Sequence, residues 1–210
     1  MRAVIFDADG TLIDSMPVWD NVCTDYISSF GITPDNELEE EIITMSFANS
    51  CSYCIDHYGL NKSVGEMIED ISAMVADKYR SEVPLKKGAA DYLKKLAEER
   101  IKMCVVTASE RGYITDCLKR LGVYDYFDFV MTCTEEGLDK NSSAIYDRAA
   151  QRLGADKEDV IVFEDAYNAM KAAKKGGYRV YGVYDKSMDK YRAEIMQSCD
   201  RYILTYKELL

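Results

Sequence analysis

The segment Val4-Ile5-Phe6-Asp7-Ala8-Asp9-Gly10-Thr11-Leu12 constrains this chain more than any other. A short apolar run ends in two carboxylates spaced i, i+2, and a Gly-Thr turn follows at once. Val4, Ile5 and Phe6 read as a buried strand, and period-2 geometry then sends Asp7 and Asp9 to the same side. Two unpaired carboxylates side by side repel by ~4 kcal/mol at 4 Å with an effective dielectric of about 20. The pair therefore points to a cation, a shared proton, or a nucleophile beside an acid. Taken alone, D-x-D at a strand end is commonly just two solvated acids, so the rest of the chain has to decide.

Composition narrows the classes. With 210 residues the chain is one large domain or one domain carrying an insertion. A formal charge of -11 with no basic stripe argues against nucleic acid and against anionic membrane surfaces. No apolar run approaches the ~20 residues that span a bilayer, and the chain opens on a core strand with no apolar leader. Seven cysteines, scattered without a framework, suit a reducing compartment, and a cytoplasmic location is expected. Cys51 and Cys54 form a C-x-x-C without a second pair; at i, i+3 on a helix they are expected to be packing. The single histidine, His57, excludes a His-rich metal site.

Along the chain, one strand is followed by a helical block over about 18–80, with helix starts expected at Thr33-Pro34-Asp35 and Asn61-Lys62-Ser63. After the Pro84/Gly88 break a helix is expected over 88–99. Strands over 102–106, 127–131, 160–163, 179–183 and 201–204 then alternate with helices over 109–121, 142–153, 166–175 and 187–198. This alternation predicts an α/β fold, a Rossmann-like parallel sheet with helices on both faces. The predicted core comprises 1–16 and 84–210, with an inserted α-helical domain at 17–83 carrying a proline at each connector, Pro17 and Pro84.

Ligands of an open parallel sheet bind beyond the carboxyl ends of its strands, and the polar residues gather there. Strand one ends in Asp7 and Asp9, the next in Thr107-Ala108-Ser109, the third leads to Lys140, and the fourth ends in Glu164-Asp165. Each has an ordinary reading alone: Thr107 as a strand end, Lys140 as a solvated lysine, Glu164-Asp165 as a helix first turn. Together, four negative charges against one lysine demand a divalent cation. Oxygen ligands without nitrogen or sulfur select Mg²⁺. Ser109 is expected to cap the following helix and aim its backbone N–H groups at a phosphate beside Thr107.

Asp7-Ala8-Asp9-Gly10-Thr11-Leu12 resembles the first motif of the haloacid dehalogenase superfamily. Thr107, Lys140 and Glu164-Asp165 match its second, third and fourth motifs in order. The likeness spans essentially the whole chain and falls in the helical-cap branch, with β-phosphoglucomutases and phosphoglycolate phosphatases. The resemblance implies that Asp7 is the nucleophile and Asp9 the acid and base. It also implies that Mg²⁺ is held by Asp7, the Asp9 carbonyl, Glu164 and Asp165, and that Thr107, Ala108, Ser109 and Lys140 bind the phosphoryl group. Asn141 and Ser143 stand where the family usually has prolines, and Ala169 where it has glycine.

The expected activity is Mg²⁺-dependent hydrolysis of a small phosphomonoester. A dehalogenase lacks the second aspartate of motif one. A β-phosphoglucomutase carries a histidine twelve residues past the nucleophile, where this chain has Trp19. A mutase of that type, or a non-catalytic phosphate-binding or switch protein, remains the alternative. The segment 15–80 holds twelve acidic and three basic residues, which favours a sugar, polyol or nucleotide monophosphate over a substrate with further anionic groups. Trp19, just past the first connector, is expected to touch the substrate.

Overall fold

The computed structural model describes all residues from Met1 to Leu210. Six parallel strands, β1 (Ala3–Phe6), β2 (Lys102–Thr107), β3 (Phe129–Thr132), β4 (Val160–Glu164), β5 (Arg179–Val183) and β6 (Arg201–Ile203), form one sheet. Their order is β3-β2-β1-β4-β5-β6. The direction of travel reverses between β1 and β4, the strands that end in Asp7 and in Glu164-Asp165. In such sheets the crevice at this switch point is the ligand site.

The chain divides into two compact units, Met1–Met16 with Arg80–Leu210, and Pro17–Tyr79. In the first, alternation along each strand builds two separate hydrophobic layers. Ile5, Cys104, Val106 and Val162 point to one face, where Ile145, Tyr146 and Ala149 of α9 (Ala144–Leu153) and Met170 and Ala173 of α10 (Tyr167–Lys175) cover them. Phe6 and Phe163, one residue out of step, point to the other. Their rings stack at 4.9 Å, with Tyr206 on Phe163 at 5.6 Å. Every residue of β1 is buried, so a single polar substitution there would strand a group without water. Helices α6 (Ala89–Glu98), α7 (Arg111–Arg120), α8 (Cys133–Glu136) and α11 (Arg192–Ser198) complete the crossovers.

The second unit is helical: α1 (Met16–Asp20, its first residue belonging to the other unit), α2 (Val22–Ser29), α3 (Leu38–Ile42), α4 (Phe47–Tyr58) and α5 (Val64–Ser81), which runs two residues past the unit's end. Met67, Ile71, Val75 and Tyr79 recur at helical spacing on α5 and are its buried stripe. Cys51 and Cys54 are buried and free, as packing residues.

Several local expectations fail for identifiable reasons. Thr33-Pro34-Asp35 does not start a helix. Asp35 instead accepts from His57 at 2.7 Å, and α3 begins at Leu38. Pro17 lies inside the first turn of α1 rather than in a connector, where its missing N–H removes no helical bond. The polypeptide at Pro84 does pair: Asp14 N–H donates to Pro84 O and Lys86 N–H to Leu12 O, both at 2.9 Å.

Candidate active site

β1 stops at Phe6, and the Asp7 N–H still donates to Phe163 O at 2.9 Å, continuing the ladder by one bond. Beyond it the chain winds: Leu12 and Ile13 N–H both donate to Ala8 O, at 2.8 and 3.0 Å. This turn sends the two aspartates to different partners, against the expectation from period 2, because Asp9 is no longer on a strand.

Asp7 joins Glu164 and Asp165, all three buried, with one carboxylate oxygen from each lying within 4.8 Å of the others. At that spacing each pair repels by ~3 kcal/mol at an effective dielectric of about 20. Lys140 answers part of it, pairing with Asp7 and with Glu164 Oε1, the latter at 2.7 Å. With all three carboxyls ionised, the single ammonium would leave two negative charges unanswered. Burial drives the Asp7 carboxyl up to about 7, Lys140 works against this, and Glu164 and Asp9 add to the rise. Burial, followed by the charges of Asp7 and Glu164, drives Asp165 well above the usual carboxylate range. Burial alone would depress the Lys140 ammonium, but Asp7 and Glu164 hold it well above its ordinary value. A buried, oxygen-only cluster whose carboxyls resist ionisation without a counter-charge fits a hard divalent cation of the Mg²⁺ type.

Asp9 lies outside that cluster, among hydroxyls. Ser15 Oγ donates to its Oδ1 at 2.7 Å, Ser109 Oγ to Oδ2 at 2.7 Å, and Thr107 Oγ1 to Oδ2 at 3.4 Å. Ser109 is therefore not a helix cap. Glu110 occupies that position before α7, and the Ser109 N–H is already taken by Thr107 Oγ1 at 3.0 Å. Ala108 is exposed beside this loop. Trp19 belongs to the helical unit. Its indole N–H donates to the Tyr79 hydroxyl at 2.8 Å, and it lines a concavity of about 390 Å³ with Ile43, Met45 and Phe47.

Four residues that sequence reading did not single out support the site. Thr11 Oγ1 donates to Asp165 Oδ1 at 2.7 Å. Gly10 has φ +77, and a Cβ there would sit 2.5 Å from Asp165 Oδ2. Tyr146 OH donates to Glu164 Oε1 at 3.0 Å. Ser15, fully buried, holds Asp9. Only Gly10 and Thr11 carried a signal, as the turn after the acidic pair. The loop that lacks the family prolines is held otherwise: Asp139 Oδ1 accepts from Asn141 N–H at 2.8 Å, and Ser143 Oγ donates to Asp147 at 3.1 Å.

A family model described as haloacid dehalogenase-like hydrolase matches residues 4–183, from within β1 to the end of β5, and takes in every strand-end residue above. The chain belongs to this family. Among curated relatives, the phosphorylated carbohydrates phosphatase of Thermotoga maritima is 27% identical over 187 residues, covering 87% of this chain and 85% of that protein. Hexitol phosphatase B of Escherichia coli is 27% identical over 180 residues, covering 84% and 81%. Among solved structures of the fold, a candidate β-phosphoglucomutase of Thermotoga maritima superposes with a TM-score of 0.85 at 24% identity, over 97% of this chain and 94% of that one. No helix is long and apolar enough to cross a membrane.

Proposed function

We propose that this haloacid dehalogenase-like hydrolase is a Mg²⁺-dependent phosphatase of small phosphomonoesters. The observation that carries the reading is Lys140 joining Asp7 to Glu164 within a buried, oxygen-only cluster that one ammonium cannot neutralise once its three carboxyls ionise. Its relatives named as phosphatases of phosphorylated carbohydrates and hexitols point to a sugar or polyol phosphate.

Asp7, Glu164 and Asp165, with the Asp9 carbonyl, would hold the cation. Bound Mg²⁺ neutralises charge on the transferring group. Asp7 attacks phosphorus in line, the ester bond to the alcohol breaks, and an aspartyl phosphate forms. Asp9 gives its proton to the departing alkoxide, then takes one from the water that attacks the aspartyl phosphate, releasing inorganic phosphate and restoring Asp7. The hydroxyls around Asp9 suit both halves. Each donates to the carboxylate, and each can accept when Asp9 carries the proton. Thr107 and Lys140, with the backbone at Ala108, take the phosphoryl oxygens, while the Ser109 hydroxyl holds Asp9. We assign 17–83 as the cap, with Trp19 contacting the alcohol portion. The acidic balance of that segment supports a substrate without a second phosphate.

The mutase alternative lacks the histidine expected twelve residues past the nucleophile. Trp19 offers only an N–H donor, and that donor is on Tyr79. Release of phosphate from p-nitrophenyl phosphate, dependent on added Mg²⁺ and abolished by EDTA, tests the chemistry. A panel of hexose, hexitol and nucleoside monophosphates tests the substrate class. Clean protein inactive on all of them would leave a phosphate-binding role.

A further inference from the structure

We infer that Tyr146 is a positioning residue for the cation site, one that fixes which oxygen of Glu164 is presented to the metal. This rests on the cation reading above. Tyr146 sits on the apolar face of α9 among Ile145, Ala149 and Ala150, at 1% exposure. A phenylalanine would pack there equally well. A buried hydroxyl costs free energy unless it is paired, and this one is paired with a carboxylate of the cluster, at 3.0 Å from Glu164 Oε1.

The pairing has a geometric consequence. Oε1 already receives the Lys140 ammonium at 2.7 Å, so with Tyr146 both of its lone pairs are engaged. Oε2 has only the Ala166 N–H, at a long 3.3 Å. One oxygen of Glu164 is thereby committed to the protein and the other is left open to a further ligand. Lys140 alone does not secure this, because it also serves Asp7 and an ammonium is a rotatable point charge. The Tyr146 ring is fixed in turn by the core and by Tyr178, at a centroid distance of 6.2 Å. Partners of this kind behind a metal ligand are commonly worth ~10–100-fold in metal affinity.

Tyr178 supplies an internal control. It lies in the same core, and its hydroxyl donates to Asp147 Oδ1 at 2.8 Å, away from the cluster. Calorimetric titration of the full chain with Mg²⁺, without substrate, is the test, with Tm recorded on the same samples. Tyr146→Phe is expected to weaken Mg²⁺ binding by ~10-fold or more, and Tyr178→Phe to leave it within about twofold. Phosphate release by Tyr146→Phe should recover most of its kcat at saturating Mg²⁺. Wild-type affinity in Tyr146→Phe would overturn the inference, and so would equal loss in both variants, which would mean general loosening of the core. Wild-type protein that binds no Mg²⁺ would instead overturn the cation reading itself.

Discussion

The Thr11 hydroxyl donates to Asp165 Oδ1 at 2.7 Å, although 154 residues separate them in the chain. It ties the turn after β1 to the end of β4 across the switch point of the sheet. The same turn brings Gly10 against the other oxygen of Asp165. Asp165 is thus held on two sides by one short segment. Thr11→Val keeps the shape and removes the hydroxyl. We expect Mg²⁺ affinity to fall by ~10-fold and stability by ~1–3 kcal/mol, since a buried carboxylate oxygen loses its donor. Calorimetric titration and urea unfolding read the two effects, and unchanged Mg²⁺ affinity would refute the link.

Gly10→Ala should be more damaging than its size suggests. The backbone is left-handed at φ +77, and the new Cβ would lie 2.5 Å from Asp165 Oδ2. The left-handed conformation alone costs ~1–2 kcal/mol, and the carboxylate must also move. Expected is a loss of phosphatase activity larger than the loss of Tm accounts for, with Asp165 displaced in a crystal structure of the variant.

Asp7→Asn should abolish turnover while stabilising the metal-free fold. Activity is expected to fall at least ~10³-fold, about 4 kcal/mol of transition-state stabilisation. The Asp7 carboxyl rises from 3.8 to about 7 on folding, chiefly through burial. Between those values the folded state holds a proton that the unfolded state has lost, so wild-type stability declines as pH rises. An amide has no such penalty. The Tm advantage of the variant, measured in EDTA, should therefore be larger at pH 8 than at pH 5. An advantage independent of pH would contradict the assignment of the strain to Asp7.

Lys86→Met probes the ion group beside the connectors. Lys86 Nζ pairs with Asp185 at 2.5 Å and with Asp14 at 3.0 Å, and Asp185 is only 4% exposed. Burial works to raise the Asp185 carboxyl, but Lys86 and then Ser187 outweigh it and hold it below its ordinary value. A carboxyl depressed on folding contributes stability above its unfolded pKa and loses it as pH falls through the folded one. Removing Lys86 should cost ~3 kcal/mol at pH 7, the range for breaking a buried pair, and less below about pH 4, where unfolded carboxyls protonate. Parallel pH profiles for the two proteins would argue against it.

How far the sequence carried depends on the range of the forces involved. The six strands, the alternation with helices and the polar residues at strand ends follow from hydrophobic periodicity, which is local and strong. In a parallel sheet it also dictates that Asp7, Thr107 and Glu164 emerge on one edge. Periodicity fails as soon as the chain leaves the strand. Asp9 lies two residues beyond Asp7, yet the turn from Ala8 places it with Ser15 and Ser109 instead of the acidic cluster. Ser109 reads as a helix cap because serines commonly cap. In the folded molecule a carboxylate 100 residues away claims its hydroxyl. Tyr146 is indistinguishable from packing in its own segment, since only Glu164, from another strand, reveals what its hydroxyl does. The sequence by itself determined which groups are available and on which edge of the sheet they collect. The tertiary structure decided which oxygen each hydroxyl holds, because hydrogen bonds are short and directional and their partners meet only when distant strands pack.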